Sequence, residues 1–205
     1  MTLDPSAGKQ ERAAQKQLLG QLMSLLPCPT CRASYQTYCR EMLPGCAHAD
    51  LGDYVCRVHD KVNLKLEKEA CHRDAEYWKR ARIHEFQQAG WSDASFVEDM
   101  FYFLFAVAYN YPHHCGTDTH VSRKYREFFT TLPRALAHRP VGKCIQRYVE
   151  AHPLEACDRL ANRKNLLTWL YGMYVQCGES MNQIIPLEEI IVAMKAIRGP
   201  LAHPP

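Results

Sequence analysis

No apolar run in this sequence approaches the roughly 18 residues needed to cross a bilayer. The longest, Met100 to Ala108, is about half that length and suits a buried helix. No membrane partner is expected. Charge of one sign is equally scarce. The chain has 25 Lys and Arg against 22 Asp and Glu, a net charge of +3, too mild for a nucleic-acid-binding protein. The opening residues, MTLDPSAGKQERAAQKQ, contain no apolar h-region, so no secretory signal is expected and the location is read as intracellular. Strand-type alternation is rare along the whole chain. Hydrophobic residues make up 47% of the 205, enough to build a core in one large domain or two small ones.

Helical periodicity fills the space that strands leave. A first helix is expected from about Arg12 to Leu26, with Leu18, Leu22 and Leu25 along one side. Proline is tolerated in the first turn of a helix. Cys28-Pro29-Thr30-Cys31 therefore opens a second helix that runs to about Met42, where Leu43-Pro44-Gly45 stops it. A third, about Asp50–Lys68, carries Val55, Val58, Val62 and Leu66 as its apolar stripe. A charged fourth helix covers about Arg73–Gln88. Further helices are read at about Ser95–Tyr109, Ser122–Ala137, Val141–Ala151, Arg163–Gln176 and Leu187–Arg198. The fold class is all-α. The expected organisation is a disordered stretch at 1–12, a redox and cofactor region at 13–90 and a second helical domain at 91–205. A faint internal echo, in which Val141 and Cys144 occupy the positions of Cys28 and Cys31, makes that second domain a degenerate copy of the first.

Ten cysteines are what the sequence has in excess. Six lie in the first 71 residues, at 28, 31, 39, 46, 56 and 71. Such usage fits a disulfide framework, a metal site, redox chemistry or core thiols. Two cysteines two residues apart can close a small, reducible disulfide. At a helix N-terminus the dipole and free N–H groups stabilise a thiolate. Both properties suit thiol–disulfide exchange. A thioredoxin-like reading would require a βαβ pattern that is absent. A zinc site remains an alternative, because Cys28, Cys31, Cys56 and His59 make a legitimate Cys3His set. Zinc leaves Asn63, Lys68 and Cys71 unexplained.

The run Tyr54-Val55-Cys56-Arg57-Val58-His59-Asp60-Lys61-Val62-Asn63-Leu64-Lys65-Leu66-Glu67-Lys68 narrows the choice. Together with Leu26-Pro27-Cys28-Pro29-Thr30-Cys31 it resembles the Erv/ALR sulfhydryl oxidases. That family has a YPCxxC stretch, then a helix reading W-x-C-x-x-H-N-x-V-N-x-x-L-x-K, then a further structural cysteine. The likeness is good over about 12–80 and faint beyond. It implies an FAD-dependent thiol oxidase, an oxidoreductase that forms protein disulfides. Cys28 would meet substrate thiols and Cys31 would lie against the flavin. His59, Asp60, Asn63 and Lys68 would hold the nucleotide end of FAD, and Tyr77 and Trp78 would supply aromatic contacts. Cys56–Cys71 would be a structural disulfide. Asp60 stands where the family usually has asparagine. The physical sense is independent of the family: His and Asn at i and i+4 can stack on and hydrogen-bond a base, and a nearby lysine can meet a phosphate.

The resemblance further implies thiol-containing protein substrates, oxygen as acceptor, and a homodimer or a second half that mimics the partner subunit. It also implies the mitochondrial intermembrane space or, for a virus-encoded member, the host cytoplasm. The family's first helix has its nearest counterpart at Phe101–Pro112, where Ala108-Tyr109-Asn110-Tyr111-Pro112 keeps A-x-x-Y-P. A non-catalytic helical binding protein is the reading from a different class. Cys39, Cys46, Cys115, Cys144, Cys157 and Cys177 read as packed or incidental thiols, with Cys39 and Cys46 the nearest candidates for a relay. Trp78, Trp91 and Trp169 are read first as core, and His113-His114-Cys115 as a loop that binds nothing.

Overall fold

The computed structural model describes residues 8–26, 29–46, 51–65, 67, 93–115, 119–178 and 184–198. They form eight helices and, among the described residues, no strand. The helices are α1 (Lys9–Leu25), α2 (Pro29–Met42), α3 (Leu51–Lys65), α4 (Asp93–Tyr109), α5 (His120–Ala135), α6 (Pro140–Ala151), α7 (Arg163–Cys177) and α8 (Leu187–Arg198). The all-α expectation holds. The helix expected at Arg73–Gln88 lies outside the described residues. α1 begins at Lys9, so residues 9–12 are helical where the sequence suggested disorder.

Local chemistry sets these boundaries. Pro29 and Pro140 stand at helix starts, where a missing N–H costs nothing. Thr119 caps α5 by accepting the Ser122 N–H at 3.1 Å, and Asn162 caps α7 by accepting the Asn165 N–H at 2.9 Å. After α2 the chain turns through Leu43-Pro44-Gly45. There Lys16 of α1 donates from Nζ to the carbonyls of Pro44 (3.3 Å) and Cys46 (2.8 Å).

Two cores form, and α1 borders both. The larger gathers Ala14, Leu18 and Leu25 of α1 with the apolar faces of α4 to α8. Phe101 and Phe105 meet the Tyr174 ring edge-on at 5.2 and 5.7 Å, and Phe129 meets Trp169 at 5.3 Å. Trp169 donates its indole N–H to the His152 carbonyl at 2.7 Å, the usual requirement for a buried indole. The smaller core holds Leu19, Cys39, Leu43, Leu51 and Tyr54, from α1, α2 and α3. α4 is buried at Phe101, Leu104 and Phe105, as its apolar run suggests, yet leaves Tyr102 and Phe103 exposed.

Close approaches fix the helix crossings of the second half. A Cβ on Gly142 would lie 1.9 Å from the Leu136 carbonyl oxygen, so α6 can abut the end of α5 only with glycine there. Cys144 and Cys177 form a disulfide with Cα atoms 5.6 Å apart, tying α6 to the end of α7. This corrects their reading as incidental thiols. Their spacing of 33 residues carries no pairing signal, and only the antiparallel packing of the two helices brings them together.

Candidate functional site

Cys31 occupies the first turn of α2 and is exposed. Its predicted companion Cys28 lies outside the described residues, as do Lys68, Cys71, Tyr77 and Trp78. The helix start at Pro29 puts Cys31 where backbone N–H groups and the positive end of the dipole favour a thiolate.

α3 packs along α2, and its polar residues point to how the two are held. Lys65 donates from Nζ to Ser34 Oγ at 2.6 Å. Lys61 pairs with Glu41 at 3.4 Å and sits 5.3 Å over the Tyr38 ring. The end of α3 therefore lies beside the first turns of α2, the end that carries Cys31. On the same stretch of α3 the His59 Nδ1 and Asn63 Nδ2 atoms are 3.4 Å apart, one helical turn from each other. His59 is exposed, and Asp60, Asn63 and Cys56 are half-buried. The structure thus brings His59 and Asn63 together as the sequence expects. It adds Lys65, which the sequence reading passed over in favour of Lys68 although both lie in the same Leu64–Lys68 run.

These residues suit a nucleotide cofactor. A ring nitrogen and an amide on one turn of a helix can meet the edge of a base, and a lysine ammonium beside them can meet a phosphate. Val62 and Leu64, 38% and 63% exposed, leave apolar surface on that helix for a planar ring. Metal ligation fits less well. Among the described residues no group of three or more His, Cys, Asp or Glu side chains lies close enough to share an ion. Cys31, Cys56 and His59, three members of the possible zinc set, are therefore not gathered.

A polar cluster between α2 and the start of α3 was not visible in the sequence. Tyr35 of α2 donates its hydroxyl to the Leu19 carbonyl at 2.9 Å, and burial pushes its pKa up to about 12. Cys39, only 2% exposed, has its thiol raised by burial. Tyr54 of α3 lies between them, raised chiefly by burial and then by its two neighbours, and its hydroxyl makes no hydrogen bond of good geometry. A thiol so enclosed and so reluctant to ionise is a packed residue; of the two relay candidates only Cys46 keeps partial exposure. In the second half Arg163, 8% exposed, is the other residue that sequence reasoning missed. It donates from Nε to the Tyr111 carbonyl at 2.6 Å, meets His113 Nε2 at 2.9 Å and stacks 5.0 Å over the Tyr109 ring. His113 is thus a structural partner of a buried cation.

An all-helical protein with a CxxC at the start of a helix, backed by a helix that offers His and Asn one turn apart, is the class defined by fold and sequence together. The model of the Erv1 / Alr family matches residues 2–82 of the chain. The match begins before α1. It takes in α1, whereas Phe101–Pro112, the expected counterpart of the family's first helix, lies outside the matched stretch. The chain is 32% identical over 72 residues to the mitochondrial FAD-linked sulfhydryl oxidase ERV1 of Saccharomyces cerevisiae. That alignment takes in 35% of this chain and 37% of the yeast protein, so the chain spans little more than a third of that relative's length. No solved structure matches at comparable stringency.

Proposed function

We propose that this protein is an FAD-dependent thiol oxidase that forms disulfides in protein substrates through Cys28 and Cys31. The observation that supports this most is the pinning of α3 to the first turns of α2 by Lys65 and Ser34. The same helix carries the His59–Asn63 turn, whose ring nitrogen and amide are proposed to meet the nucleotide. The name of the yeast relative, an FAD-linked sulfhydryl oxidase, points the same way.

A substrate thiolate attacks Cys28 Sγ, breaking the Cys28–Cys31 bond and leaving a mixed disulfide with Cys31 as the thiolate. A second substrate thiolate attacks the mixed disulfide, releasing the oxidised substrate and the Cys28 thiol. FAD, if held here, would supply the acceptor for the two electrons and two protons released as the Cys28–Cys31 bond re-forms, with oxygen, reduced to hydrogen peroxide, as the final oxidant. The protein's own part is to hold Cys31 as a thiolate at the start of α2 and to hold the nucleotide with His59, Asn63 and a lysine, Lys65 or Lys68. Asp60, Tyr77 and Trp78 complete the proposed cofactor set, and Cys56–Cys71 is proposed as a structural disulfide. A mitochondrial location is proposed from the yeast relative's name. No helix among the described residues is long and apolar enough to cross a membrane. The packing of α1 against α5 supports a second half that takes the place of a partner subunit.

The test is the visible absorption spectrum of the purified protein, followed by oxygen consumption with a dithiol. A flavin band that bleaches on adding dithiol, with oxygen uptake lost in Cys31→Ser, is the expected result. A colourless protein that remains inert to dithiol after incubation with FAD would overturn the reading.

A further inference from the structure

A groove of about 520 Å³ opens where the end of α5 meets α6. It is lined by Pro133, Ala137 and Gly142, by the neutral Gln146, and by Arg134, Lys143 and Arg147. All three cations are exposed, and among the described residues none has a carboxylate within 4 Å. The one acidic residue of α6, Glu150, accepts a hydrogen bond from Gln146 Nε2 instead. Arg134 makes only two long contacts, to Gln17 and Thr131, each 3.5 Å. Three cations without counter-charges around one concavity are out of proportion for a chain with a net charge of only +3.

The spacing of these charges narrows the occupant. Lys143 and Arg147 stand one turn apart on α6, so their Cβ atoms are about 5–6 Å apart. In an extended peptide, side chains two residues apart point to the same side at a separation of roughly 6–7 Å. Two carboxylates in a Glu-x-Glu or Asp-x-Asp pattern match that interval. Arg134, on α5, meets a third, and the apolar lining at Pro133 and Ala137 takes an aliphatic side chain. A single phosphate would satisfy one cation pair and leave that apolar lining bare.

We propose that this groove binds an extended acidic segment of a partner protein, with alternating carboxylates on Lys143, Arg147 and Arg134. The site lies on the second half of the chain, outside the proposed dithiol and cofactor residues, and does not depend on their chemistry.

The test uses the full chain and a fluorescein-labelled peptide, Glu-Leu-Glu-Gly-Glu, followed by fluorescence anisotropy. Saturable binding is expected, weakening severalfold between 50 and 300 mM salt because exposed charges are screened. The double variant Lys143→Glu/Arg147→Glu should weaken it about tenfold or more, and Gln146→Ala, which removes a neutral side chain of the same lining, by less than about twofold. Both variants alter exposed side chains, and an unchanged melting temperature checks that each folds. Binding that survives the charge reversal in a folded variant would overturn the proposal. So would a peptide that binds no better than its lysine-substituted counterpart. Competition by inorganic phosphate at equal concentration, or stronger retention on phosphatidylserine vesicles than on the peptide, would replace the acidic segment with a phosphate group or a lipid surface.

Discussion

Gln15 of α1 donates from Nε2 to the carbonyl of Ala135 at the end of α5, 3.1 Å away and buried, across 120 residues of sequence. Beside it the buried Glu11 carboxylate pairs with His138 Nδ1. The helix that precedes the CxxC is thus bound to the second half of the chain by polar contacts as well as by Ala14, Leu18 and Leu25. α1 also contributes Leu19 to the small core with α2 and α3. The proposed dithiol hairpin therefore rests on a helix whose other contacts belong to the second half.

That arrangement predicts that the two halves unfold as a single cooperative unit. Leu18 is 4% exposed in the larger core. Truncating a buried leucine costs about 2–5 kcal/mol. Leu18→Ala should lower the urea midpoint accordingly, with far-ultraviolet circular dichroism and tryptophan fluorescence shifting together. Leu64→Ala, at a position 63% exposed, should change stability by less than about 0.5 kcal/mol. Two separated transitions in the Leu18 variant would mean that the halves unfold independently.

The Cys144–Cys177 disulfide should act through the unfolded chain. Closing a loop of 33 residues removes enough chain entropy to stabilise the fold by about 3–4 kcal/mol. The double variant Cys144→Ser/Cys177→Ala is expected to lose about that much in denaturant titration under oxidising conditions. Adding reductant should lower the stability of the parent protein toward that of the variant, and it should move the variant itself far less.

Gly142 makes a sharper prediction. A methyl group there would meet the Leu136 backbone oxygen, which cannot rotate away as a side-chain tip could. Gly142→Ala should therefore cost at least about 2 kcal/mol, at the upper end of the usual range for overpacking. Gly8, with nothing within 4 Å of an added Cβ, should accept alanine with little change in melting temperature.

Much of this fold was legible because helical periodicity and helix-boundary chemistry are local. Pro29 and Pro140 mark starts and Leu43-Pro44-Gly45 marks a stop, so the order of the described helices could be read directly. The His59–Asn63 turn was legible for the same reason, since i and i+4 on a helix are neighbours wherever the helix lies. What the sequence concealed is long-range. The pairing of Cys144 with Cys177, the burial of Arg163 beneath the 109–113 segment, and the contact of α1 with α5 depend on how distant helices cross. A-x-x-Y-P recurs at Phe101–Pro112, outside the 2–82 stretch that the family model matches.

The buried cluster at Tyr35, Cys39 and Tyr54 predicts an alkaline transition and a protected thiol. Burial raises all three pKa values above those of the unfolded chain. Their neutral forms are favoured by folding, so their contribution is fully present below the unfolded values. It is lost as pH rises from about 9 or 10, the ordinary values of the thiol and the phenol, through the folded value of about 12 for Tyr35. Denaturant stability should be level to about pH 9 and then fall, and Tyr35→Phe should reduce the slope of that fall. In the native protein at pH 8 Cys39 should resist alkylation while the exposed Cys157 reacts, with both labelled in denaturant; mass spectrometry of the peptides reads the difference.

His59 and Asn63 give the prediction closest to the proposed function. A hydrogen bond between neutral partners contributes about 0.5–1.5 kcal/mol, or roughly two- to twelvefold in an equilibrium constant. His59→Ala and Asn63→Ala should each weaken FAD retention within that range, read by flavin released on dialysis, with little change in helicity because both side chains lie at the surface of α3. Lys65→Ala removes the bond from the end of α3 to Ser34 of α2. It should loosen FAD and also change the rate at which the dithiol is oxidised, whereas the His59 and Asn63 variants saturated with FAD should keep that rate. If all three lose only affinity, Lys65 is a ligand contact alone. If Lys65→Ala slows the oxidation even in saturating FAD, the packing of α3 on α2 sets the geometry of the reaction.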